Sequence, residues 1–141
     1  MLSFTEKVLG TRVILDLLLL VVYSVWISQQ ISNFPLEQID FASFMGLLAI
    51  GIVAIGVLVE TALYLANKKD FAEDVRDAEI RLRGNSMTLY FVITIGSLVI
   101  LTSFLVPDLF LLVHLIFYGG VSASIFNSAS RIYISRFGVL V

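Results

Sequence analysis

No cysteine occurs in the 141 residues of the chain. That excludes a disulfide framework, a thiol nucleophile and a thiolate metal centre. Histidine occurs once, at His114, so no imidazole pair exists to share a metal ion. Charge is scarce too. Asp, Glu, Lys and Arg make up 14% of the chain, against about 25% in an ordinary soluble domain. The sequence also lacks a phosphate-cradling glycine loop, a Ser/His/Asp set and a zinc-protease helix signature. Enzymatic activity is therefore not expected, and neither a cofactor nor a metal is implied.

Apolar residues fill the chain instead. They account for 59% of it, and its mean hydropathy is +1.00. Four long apolar runs cover about 11–30, 41–66, 87–106 and 109–130. A helix needs about 20 residues, at about 1.5 Å each, to cross a hydrocarbon core of roughly 30 Å. Each run is long enough, and together they leave no room for a separate soluble domain. The expected fold is all-α: an integral membrane four-helix bundle, with 1–141 a single membrane domain. Asp16 interrupts the first run, and Ser28-Gln29-Gln30-Ile31-Ser32 after it has no small-x-small cleavage pattern. The run is read as a retained span and not as a signal peptide.

The few charges are sorted along the chain. Lys7 and Arg12 lie at the start of the first run. Lys68, Lys69, Arg76, Arg81 and Arg83 lie between the second and third, and Arg131 and Arg136 follow the fourth. The other two connections, about 31–40 and 107–108, hold only Glu37, Asp40 and Asp108. Short loops rich in Lys and Arg stay on the cytoplasmic side. Both termini and the 67–86 connection are therefore expected in the cytoplasm of a bacterial cell membrane, with residues 38 and 108 outside. The insertion rule alone produces such a basic inner face. Direct nucleic-acid binding is not expected from it, and membrane lipids are the natural surroundings.

Local patterns refine this picture. Residues 1–10, with Phe4, Val8 and Leu9 among Glu6 and Lys7, read as a short amphipathic lead-in at the cytoplasmic interface. Trp26 suits an interfacial belt, and Asn33-Phe34-Pro35 is a turn signal. Gly46, Gly51 and Gly56 recur every five residues and so spiral around the second helix, which suits contact with several neighbours. In the central connection Phe71, Val75, Ala78 and Leu82 share one helix face. Asp77–Arg81 and Glu79–Arg83 are i, i+4 pairs in the favourable order. The pattern predicts a charged cytoplasmic helix over 70–83, continuous with the second span through Asn67-Lys68-Lys69, with Gly84-Asn85 as its stop. Pro107-Asp108 predicts a tight turn and an antiparallel hairpin of the last two spans. Gly120, Ser124 and Ser128 form a small-residue stripe on the fourth. It is read as a helix-packing face, either within the bundle or in a homo-oligomer.

With those residues in view, the chain resembles a family of uncharacterised small four-span bacterial membrane proteins. Three features carry the resemblance: the lead Ser3-Phe4-Thr5-Glu6-Lys7; the Asp-x-Arg-Asp-x-x-Ile motif at Asp74-Val75-Arg76-Asp77-Ala78-Glu79-Ile80; and Arg83-Gly84-Asn85-Ser86 before Met87. Relatives usually carry an acidic residue where Val75 stands here. They are often encoded beside small helix-turn-helix regulators. The resemblance therefore implies control of a cytoplasmic partner from the membrane.

Four polar residues fall inside the runs: Asp16, Glu60, His114 and Asn127. A carboxylate at a span centre costs about 2.5–3.5 kcal/mol, less near the interface, so such groups usually have partners. Asp16, Glu60 and Asn127 could form a proton or cation site. Alternatively, Asp16 pairs with Arg12, while Glu60 pairs with Arg12 or Arg131 or reaches the headgroups. His114 reads as a hydrogen-bonded packing residue or an external pH sensor. Glu73, Asp74 and Asp77 could hold a divalent cation, but Arg76, Arg81 and Arg83 make a salt-bridge network the simpler reading. The expected function is non-enzymatic protein–protein interaction through Asp74, Arg76, Asp77, Arg81 and Arg83. The alternative is a small oligomeric proton or cation transporter or channel using Asp16 and Glu60.

Overall fold

The structure is a computed structural model that describes residues 4–66, 75–106 and 108–138. Its regular elements are all helical: α1 (Phe4–Asn33), a 3-10 turn (Leu36–Gln38), α2 (Phe41–Ala66), α3 (Val75–Leu105) and α4 (Leu109–Phe137). Each of the four α-helices contains a stretch long and apolar enough to cross a membrane. The helix α2 coincides with the expected second run. The others extend past theirs. The lead-in is simply the first turns of α1, because nothing between Phe4 and Thr11 breaks a helix.

Gly84-Asn85 does not stop a helix, contrary to expectation. The helix α3 runs from Val75 through both residues to Leu105. A glycine stop needs a positive φ, and among the described residues only Gly138 has one, at 74°. Gly138 closes α4 with its N–H on the Ile134 carbonyl at 3.0 Å. Gly84 instead stays helical and buried, and a Cβ there would fall on Cγ of Arg131. The missing side chain serves close approach. The expected join between the charged helix and the second span lies outside the described residues.

The chain forms two compact units. The first comprises Met1–Val13 and Ala72–Val141. Its frame is the antiparallel pair α3 and α4, joined by a tight connection in which the Asp108 N–H donates to the Val106 carbonyl at 2.8 Å. The Asp108 carboxylate caps α4, accepting from the Phe110 N–H at 2.8 Å and the Leu111 N–H at 3.5 Å. Along the pair, Gly84 meets Arg131, Phe91 stacks on Phe126 with ring centres 4.8 Å apart, and Gly119 meets Ile95.

The second unit is Ile14–Phe71. Tyr23 is fully buried in it, and Trp26 stacks on Phe44 at 3.8 Å, which ties α1 to the start of α2. Asp40 caps α2 by accepting the Ser43 N–H at 3.1 Å. Hydrogen bonding from Ser43 holds its carboxyl below the ordinary value of 3.8. No residue of α2 is buried, and a Cβ at Gly46, Gly51 or Gly56 would meet nothing within 4 Å. Among the described residues, a side chain at these three positions would therefore have open space.

Candidate functional site

The polar features of the first unit gather where three helix ends meet: the start of α1, the start of α3 and the end of α4. Three bonds tie them together. Thr5 Oγ1 donates to Asp77 Oδ2 at 3.4 Å, and Arg136 Nε donates to Glu6 Oε1 at 3.1 Å. Arg76 Nη2 donates to the Ser135 carbonyl at 2.9 Å. The Thr5–Asp77 contact is part-buried and the other two lie at the surface, where such a contact contributes about 1 kcal/mol or less, so together they fix geometry more than they stabilise. The expected pair Glu79–Arg83 forms at 2.6 Å, with both side chains about half exposed. Arg76, Arg81 and Arg83 are exposed, whereas Asp77 is half-buried against α1. The structure thus makes the 76–83 segment the outer face of a three-helix platform. Asp74 lies outside the described residues.

A polar cleft of about 350 Å³ lies deeper in the same unit. Arg12, Asn85, Thr88, Asn127, Ser128 and Arg131 line it, and no carboxylate does. Asn127 Nδ2 donates to Asn85 Oδ1 at 3.0 Å across the α3–α4 seam. The stem of Arg131 lies over Gly84, and Arg131 lines the cleft. The small-residue stripe divides at this level. Ser128 is fully buried and Ser124 is half-buried at the cleft wall. Gly120 is exposed, and it is Gly119 that touches α3.

The other polar residues of the apolar runs are divided between the units: Asp16 and Glu60 lie in the second, His114 and Asn127 in the first. Asp16 is buried, and its Oδ2 has no hydrogen-bond partner among the described residues. Glu60 is exposed on α2 and is not a buried ion-pair partner among the described residues. No bond joins Asp16 to Glu60. Asn127 belongs to the first unit and is committed to Asn85. His114 is buried, with Nδ1 2.6 Å from the Phe110 carbonyl. A carbonyl only accepts, so Nδ1 carries the proton. No cluster of three or more His, Asp or Glu suited to a metal occurs among the described residues.

Reasoning from the sequence missed Thr5, Glu6 and Arg136 as platform ties, and Arg12, Asn85, Thr88 and Arg131 as one cleft. Glu6 and Arg136 are 130 positions apart, and no local pattern links them. Asn85 carried a readable signal, a polar residue at the mouth of an apolar run, but its neighbour Gly84 made it look like a helix stop.

Comparison of the chain with protein-family models, with curated proteins and with solved structures gives no match.

Proposed function

We propose that the chain is a multi-pass membrane protein that acts by protein–protein interaction, with the charged 70–83 segment as its cytoplasmic contact surface. One observation carries this reading. The exposed guanidinium groups of Arg76, Arg81 and Arg83 stand at the start of α3, on a platform braced by α1 and α4. The one-sided placement of all nine bases supports a cytoplasmic address for that platform. Guanidinium groups offer forked donors suited to carboxylates, so the surface fits an acidic protein partner. The resemblance of the 74–80 motif to small four-span bacterial membrane proteins agrees with a regulatory contact.

The test is site-specific crosslinking in intact cells. Arg81→Glu with Arg83→Glu is expected to abolish capture of the partner while the protein still inserts. Glu60→Gln is expected to leave capture intact. A second reading, proton or cation passage, is favoured by one observation: the buried Asp16 carboxylate whose Oδ2 lacks a partner. Flux through liposomes carrying the purified protein, abolished by Asp16→Asn, would overturn the interaction reading.

A further inference from the structure

The polar cleft of the first unit shares Ala123 in its lining with an apolar groove of about 390 Å³. On α3 the lining passes through Asn85, Thr88, Val92, Gly96 and Val99. On α4 it passes through Arg131, Asn127, Ala123, Gly120 and Ile116. Steps of three and four residues keep each series on one helix face. The two openings adjoin at Ala123 along these faces and are read together as one furrow, cationic and polar at one end and apolar along the rest. Missing side chains help to make it: a Cβ at Gly96 or Gly120 would meet nothing within 4 Å.

We infer that this furrow holds one anionic phospholipid of the cytoplasmic leaflet. Its phosphate sits between Arg12 and Arg131, and one acyl chain lies along Val92, Gly96 and Gly120. The inference rests on the membrane reading above but not on the protein partner. Charge is the first argument. Arg12 and Arg131 line the cleft beside Ser124 and Ser128, with no carboxylate in the lining, while Thr88 donates to the Gly84 carbonyl and Asn127 to Asn85; the set is cationic and matches phosphate oxygens. Basic pockets between spans on the cytoplasmic side bind anionic headgroups by the same chemistry.

Length is the second argument. The lining extends on α3 from Asn85 to Ile100, fifteen residues, or about 22 Å at about 1.5 Å each. Half of a bilayer of about 40–45 Å, headgroups included, is about 20–22 Å. The furrow therefore matches one leaflet. A free phosphate ester would fill the polar end and leave the apolar groove without an occupant.

The test uses the full chain purified from bilayers containing equal amounts of phosphatidylglycerol and phosphatidylcholine. Membrane fractionation comes first. Recovery of the chain in the soluble fraction would overturn both the membrane reading and this inference. Native mass spectrometry is then expected to find one retained phosphatidylglycerol per chain in preference to phosphatidylcholine. Arg12→Gln should weaken retention about fivefold, the typical worth of one basic group at a lipid surface. Gly120→Phe should block the acyl groove and lower retention comparably, with the polar end intact. If that variant does not fold, Gly96→Leu makes the same obstruction from α3. Equal retention of the two lipids would overturn the inference. So would unchanged retention in both groove variants. Inorganic phosphate that binds wild type and Gly120→Phe alike and displaces the lipid would assign the cleft to a soluble phosphate compound instead.

Discussion

Gly119 and Gly120 are neighbours of one kind with opposite environments. A Cβ at Gly119 would lie 2.5 Å from Cγ2 of Ile95, whereas one at Gly120 would meet nothing within 4 Å. Gly119→Ala must therefore push α3 and α4 apart, at a cost of about 1–3 kcal/mol. Gly120→Ala removes only the conformational freedom of glycine and should stabilise the helix by about 0.5–1 kcal/mol. Thermal midpoints in one detergent should fall for the first and rise for the second; a shift of the same sign in both would contradict this packing. Asp40 makes a second prediction at this scale. Its folded pKa is depressed, so its charged cap stabilises α2 above the ordinary value of 3.8 and is lost as pH falls through the still lower folded value. Compared with Asp40→Asn, the wild type should lose its advantage in thermal midpoint between about pH 5 and pH 2. A difference that stays flat over that range would remove the carboxylate's charge from the account.

Among the elements, the start of α2 was legible at the head of its apolar run, because Asp40 stands there to cap it by accepting the Ser43 N–H. The last two spans were legible as a hairpin, since the two residues between the runs allow nothing else. The passage of α3 through Gly84 was not legible. A helical glycine and a terminating glycine look alike in sequence, and the deciding neighbour, Arg131, lies far along the chain. The stripe on α4 shows the same limit. Its spacing identifies a candidate face, but only the partner helix determines which member is enclosed. Ser128 is 1% exposed, whereas Ser124 borders the cleft. Ser128→Leu should thus destabilise the α3–α4 pair by about 1–3 kcal/mol, and Ser124→Leu by less. Chemical or thermal unfolding of the two variants side by side checks this order, and the reverse order would place Ser128 at a yielding surface.

For the whole molecule, the sorting of charge makes a claim that packing cannot make, because it concerns the bilayer. The absence of cysteine supplies a clean background for testing it. A cysteine at position 38 should react with an impermeant reagent added outside intact cells, and one at position 81 only after the membrane is opened. Labelling of position 81 from outside would invert the arrangement. The unbroken course of α3 has a mechanical consequence. Its 31 residues make a rod about 46 Å long, against a hydrocarbon core of about 30 Å. In the proposed cytoplasmic orientation, about 15 Å of stiff shaft would stand clear of the oil, bearing Arg76, Arg81 and Arg83. A partner that grips those side chains grasps a lever and not a tether. Under that proposal, torque applied there would be carried to Val92, Gly96 and Val99, because α3 is unbroken between them.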